Sequence, residues 1–153
     1  MSKYEELDDI FKDSDYDSQD WAEWRIDKAI KIVREFREED ITELKKSWRT
    51  QTNLWKHLLV DISDELPIDV FVSIVLEILG TEEDEDLCWQ AAVRCGFNIQ
   101  HRANVVSTIK MVELSFYREC IKRLESFISK GYASTGIGEE VPLLKNLLLE
   151  ICN

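Results

Sequence analysis

Three features of this 153-residue chain predict an all-α fold. Apolar residues recur at spacings of three and four along most of its length. Glycine (5) and proline (2) are scarce, and no segment alternates apolar with polar residues as a half-buried strand would. Hydrophobic residues make up 44% of the chain, with five Trp and six Phe, too much apolar material for a disordered polymer. The length suits one domain. The expectation is a compact bundle, or stacked helical hairpins, of about six helices. An acidic, loosely ordered arm at residues 1–17 is expected to precede a single domain at residues 18–153.

The arm interleaves Asp and Glu with Tyr4, Ile10, Phe11 and Tyr16, with at most a helical turn near Tyr4–Phe11. A first helix is expected from Ser18, a candidate N-cap with Asp20 in the first turn, to about residue 39. Its stripe is Ala22, Ile26, Ala29, Ile30, Val33 and Phe36. Trp21 lies near that stripe and Trp24 off it, where it could pack on the arm. Asp40, followed by Glu43, reads as the cap of a second helix reaching Ile62, interrupted by the polar stretch at residues 49–53. Pro67 suits the first turn of a third helix, apolar around much of its circumference and therefore central, which Gly80 would end. Thr81 would cap a fourth, with Leu87, Cys88, Ala91, Ala92 and Cys95 facing inward and Gly96 as its stop. The stripe Val105, Ile109, Val112, Phe116, Cys120, Leu124 and Phe127 predicts one long fifth helix, capped by Asn98 or Asn104 and ended by Gly131. A glycine-containing loop then leads to a last helix from about Glu139, with Pro142 in its first turn.

The net charge of −12 is unevenly placed: −6 over residues 1–20, +2 over 21–60, −10 over 61–90, +4 over 91–130 and −2 over 131–153. Residues 61–90 hold ten acids and no base. Such a body repels phosphate, and the bases on the first and fifth helices alternate with acids, so nucleic acid is not an expected partner. No run of roughly 18 apolar residues could span a bilayer. The start, MSKYEELDDIFKD, lacks the basic-then-apolar layout of a signal peptide, which predicts a cytoplasmic protein. Cys88, Cys95, Cys120 and Cys152 are then expected as free thiols, mostly in the core.

Catalytic and metal patterns are missing from the sequence. The cysteines form no C-x-x-C pair. His57 and His101 have Leu54 and Asn98, not Glu, three residues before them, and the run Glu82–Asp86 lacks the spacing of a calcium loop. Cys95 and His101 are close in the chain, but Cys95 falls on an apolar face. No glycine-rich phosphate loop is followed by Lys-Ser/Thr. A non-enzymatic chain without cofactor or metal is expected.

The acidic block remains. Asp61, Asp64, Glu65 and Asp69 surround the turn before the third helix, and Glu82, Glu83, Asp84, Glu85 and Asp86 the turn after it. The block reads either as solubility with helix capping or, since ten uncompensated acids exceed what capping requires, as a field that would steer a basic protein partner into contact. Trp89, Trp24 and Tyr16 are candidate aromatic anchors beside the charge, with Trp89 inside the block and core packing as the alternative role of each. In size, charge segregation and missing chemistry the whole chain resembles the immunity proteins of bacterial contact-dependent and other polymorphic toxin systems. No residue motif carries that resemblance. It implies a non-catalytic inhibitor that neutralises a basic toxin, such as a nuclease domain, by binding it tightly. The alternative is a helical adaptor whose apolar groove accepts a partner helix.

Overall fold

The computed structural model describes residues 1–112, 115–132 and 139–152. Among them are nine α-helices and no strand, so the all-α class holds with more helices than expected. The chain falls into two compact units, Met1–Leu66 and Pro67–Asn153.

The first unit begins with α1 (Lys3–Lys12), where the sequence pointed to a loose arm. Ser2 and Glu5 form a reciprocal capping box: the Ser2 hydroxyl accepts from the Glu5 N–H at 3.1 Å, and the Glu5 carboxylate from the Ser2 N–H at 2.8 Å. Tyr4, Leu7 and Phe11 bury one face of α1. The Phe11 ring meets the edges of Trp21 (centroids 5.9 Å apart) and Trp55 (5.0 Å). A wide π-helical turn at Trp21–Arg25 runs into α2 (Ile26–Arg34). There the Ile26 N–H donates to the Trp21 carbonyl, five residues back. The wide turn takes up one residue more than an α turn. Trp21, which would otherwise sit about 80° from Ala29 around the helix, is thereby brought onto the same buried side.

α2 stops at Arg34, before the expected residue 39, and α3 (Glu38–Ser47) starts two residues before Asp40. Asp40 therefore does not cap the helix; it occupies the third helical position. Buried there, its carboxylate accepts the N–H of Arg37 at 2.9 Å and that of Tyr4 at 3.0 Å. One side chain thus holds the entry of α3 and the start of α1. The polar stretch breaks the next helix as expected: a 3₁₀ turn at Trp48–Thr50 precedes α4 (Asn53–Ile62), capped by the Thr52 hydroxyl on the Trp55 N–H at 3.2 Å. A second 3₁₀ turn, Ser63–Glu65, follows α4.

In the second unit α5 (Ile68–Thr81) is the central helix: it packs against α6 (Glu85–His101), α7 (Val105–Met111) and α8 (Tyr117–Ser129), while α9 (Glu140–Cys152) lies against α6 and α8. Nine of its fourteen residues are buried, so its all-round apolar character was a reliable sign. Neither Gly80 nor Gly96 ends a helix. Each lies inside one, where a neighbour comes too close for a side chain. A Cβ at Gly80 would lie 2.5 Å from the Phe116 ring, and one at Gly96 would collide with the Glu140 backbone. The expected long fifth helix is two, α7 and α8. The Tyr117 hydroxyl lies 2.7 Å from the carbonyl oxygens of both Ile109 and Val112 and so satisfies the end of α7. α8 ends before Gly131 as expected. The following loop, from residue 133 to 138, lies outside the described residues. α9 begins next to the expected Glu139, with Pro142 in its first turn.

Candidate functional site

The acids expected to meet a partner fall in different units: Asp61, Asp64 and Glu65 in the first, Asp69 and Glu82–Asp86 with Trp89 in the second. Several carry internal duties. Asp61 accepts the Trp21 indole N–H at 2.9 Å, much as Asp8 accepts that of Trp55 at 2.9 Å. Glu65 holds Arg34 through both oxygens, at 3.0 and 3.2 Å. Asp64 lies half-buried in the 3₁₀ turn beside it. In this unit Asp8, Asp61 and Glu65 thus serve to satisfy indole and guanidinium donors.

The second unit presents its acids differently. Asp69 is exposed in the first turn of α5, where the helix dipole favours it. Twelve residues of helix, about 18 Å, separate it from the α5–α6 turn, where the other five acids cluster. Asp84, rather than Thr81, caps α6: its carboxylate accepts the Leu87 N–H at 2.9 Å. Glu83, Glu85 and Asp86 are exposed and Glu82 half-buried. Glu85 accepts from Lys130 at 2.7 Å and lies 3.3 Å from the Tyr132 hydroxyl. The Lys130 ammonium holds the Glu85 carboxyl below its ordinary range, and Lys130 is raised in turn by Glu85. Burial, with the Glu85 charge second, pushes the Tyr132 phenol up. Trp89 is half-buried, its ring edge-on to Phe127 (5.5 Å) and Tyr132 (5.1 Å), so it supports this surface rather than projecting from it.

Beside the turn lies an open cleft of about 230 Å³, lined by Glu82, Glu83 and Glu85 together with Arg123, Lys130 and Phe127. Arg123 organises its base. One guanidinium nitrogen donates to the Leu79 carbonyl at 3.0 Å, to the Glu82 carbonyl and to the Cys88 sulfur at 3.3 Å, while Nε reaches Glu119 at 3.3 Å. It closes the C-terminal end of α5, where a cation also suits the dipole. The sequence placed Arg123 among balanced surface bases; nothing in its spacing reveals the 44-residue reach to Leu79.

The thiols give this cleft no nucleophile. Cys88, Cys95 and Cys120 are buried and free, as expected, while Cys152 is exposed. Burial pushes Cys95 and Cys120 up to about 12 and raises Cys88 despite the neighbouring Arg123, so all three stay protonated at neutral pH. His101 lies exposed at the end of α6, its ring against Phe97. Among the described residues no three His, Cys, Asp or Glu side chains converge in a way that could hold a metal ion, and no helix is long and apolar enough to cross a membrane.

Of the other anchors, Tyr16 is stacked on His57 with centroids 5.1 Å apart. Trp24 does not pack on α1; it is 72% exposed. Comparison with known families, curated proteins and solved structures finds no match to this chain.

Proposed function

We propose that this chain is a non-catalytic binding protein that neutralises a basic protein toxin, such as a nuclease domain, through its acidic surface. The observation that carries this reading is the α5–α6 turn. Three carboxylates, Glu83, Glu85 and Asp86, stand exposed on a stretch of thirty residues without a single base. Among the described residues their counter-charge is Lys130, which pairs with Glu85 while both side chains remain about half exposed. Exposed pairs of that kind add little to stability, so a cationic side chain of a partner can replace Lys130 at low cost. A nuclease cleft is positive because it holds phosphate, and a field of this sign would accelerate its approach. Asp69, Asp61, Asp64 and Glu65 extend the negative field on their own units, and Trp89 stiffens the surface behind the turn.

The test begins with capture of the partner from the native host at low salt, identified by mass spectrometry. Association rates are then measured with the wild-type chain and a Glu83→Lys/Glu85→Lys/Asp86→Lys variant. A basic partner should associate at least about ten-fold more slowly with the variant at low salt, the difference closing as salt is raised. A rate indifferent to charge reversal and to salt, but lost on substitution of apolar surface residues, would support the helical adaptor instead.

A further inference from the structure

On the first unit, the large apolar side chain of Trp24 stands exposed amid charge. Trp24 lies inside the wide turn, three residues after the buried Trp21, and faces outward. The π-helical turn around it fixes Trp21 in the core and leaves Trp24 at 72% exposure. Turns of this kind are rare and recur at functional sites. Asp20 and Asp27, a turn before and a turn after, are both exposed, as is Glu23, whose carboxylate is held by Gln19 at 2.8 Å. Between residues 13 and 28 there are six acids and two bases, Arg25 and Lys28. Arg25 is committed to the carbonyl and carboxylate of Asp13 at 2.8 and 3.2 Å. Lys28, one turn after Trp24, is exposed, so the acids around the indole outnumber its cations without being alone there.

An indole face framed by carboxylates is complementary to one chemical group above others. A guanidinium is flat and weakly hydrated: it stacks on the ring while its N–H groups reach acids at the rim. An ammonium, compact and strongly hydrated, gains less from the same surface. We propose that Trp24, framed by Asp20 and Asp27, is a docking point for an arginine on a basic protein surface. Only the partner's charge is shared with the function proposed above; the residues and the helix are others. A phosphate-bearing or lipid partner fits poorly, because the acids around Trp24 would repel it.

The probe is a nona-arginine peptide, with nona-lysine as the control of equal charge, titrated at low salt into the full chain labelled with nitrogen-15. The five tryptophans give separate indole N–H signals, and Trp24→Ala identifies one of them. Nona-arginine should move the Trp24 signal and bind more tightly than nona-lysine. Trp24→Ala, which leaves the charge unchanged, should weaken the arginine peptide about two- to five-fold and erase its advantage; Trp24→Phe should keep part of it. Unshifted signals from the other four indoles show that the variant is folded. Absence of arginine binding, an unmoved Trp24 signal, or an advantage that survives Trp24→Ala overturns the docking point. The variant carrying lysines at 83, 85 and 86 separates the two surfaces. If it loses the arginine preference, the α5–α6 turn is the receptor and Trp24 is not. If it keeps the preference while partner association stays fast, the Trp24 site stands and the proposed role of the turn fails.

Discussion

Asp40 does more than any other acid in the first unit, and it does so out of contact with solvent. Two backbone N–H groups, from Arg37 and Tyr4, converge on its carboxylate. Hydrogen bonds to a charged acceptor are worth about 1.5–3 kcal/mol, and removing the acceptor leaves buried donors unpaired. Asp40→Ala should therefore lower the unfolding free energy by on the order of 3 kcal/mol in urea titration, with Asp40→Asn costing less. A loss below about 0.5 kcal/mol, the scale of ordinary surface substitutions, would mean that α1 does not depend on it. The thiols give a second prediction at this scale. Cys95 and Cys120 are raised to about 12 in the folded chain against about 9 when unfolded, so both states hold the proton below pH 9. Above it the unfolded chain releases protons first, and stability falls by about 1.4 kcal/mol per pH unit for each thiol. Under reducing conditions the urea midpoint should thus drop from pH 9 upward, and less steeply in Cys95→Ala. In the native chain at neutral pH a thiol reagent should promptly modify Cys152 alone. Asp40 shows what the sequence concealed at this scale: its spacing to Glu43 matched a cap, while its true partner, the Tyr4 N–H, lies 36 residues away.

At the scale of helices, the periodic apolar stripes located most elements, and the errors have common causes. Gly80 and Gly96 look like helix stops because glycine often follows a helix. Both instead permit close packing, which only the approach of α8 and α9 reveals. The stripe from Val105 to Phe127 keeps its period across the break between α7 and α8, so periodicity alone could not find the turn that Tyr117 ties. The acidic start at residues 1–17 hid α1 because three buried residues, Tyr4, Leu7 and Phe11, are sparse among charges. The two glycines should differ when mutated. Gly96→Ala puts a methyl against the Glu140 backbone, which cannot rotate away, whereas Gly80→Ala meets the Phe116 and Cys120 side chains. Gly96→Ala should cost about 1–3 kcal/mol and Gly80→Ala less, measured by the shift in thermal midpoint. Equal costs would mean that α9 yields as easily as a ring. Arg123→Met should open the end of α5 by removing the donor to the Leu79 and Glu82 carbonyls, seen as faster hydrogen exchange in the last turn of α5 and the start of α6.

For the whole molecule, the segregation of charge was plain from the sequence, but its employment was not. In Met1–Leu66 several acids serve the fold: Asp8 and Asp61 satisfy indoles, Asp40 satisfies backbone, and Glu65 holds Arg34, while Asp20 and Asp27 stand exposed. In Pro67–Asn153, Asp84 and Glu85 have partners within the unit, while Glu83 and Asp86 project from the α5–α6 turn. Glu83 and Asp86, with Glu85 held by an exposed lysine, give the turn the exposed negative charge that a steering surface requires. If the chain silences a basic protein by occupying it, as proposed, the activity of the captured partner titrated with the purified chain shows it most directly. Complete loss of activity is expected at one chain per partner, with a higher ratio needed for the Glu83→Lys/Glu85→Lys/Asp86→Lys variant. A partner that stays fully active when saturated with the chain would contradict it.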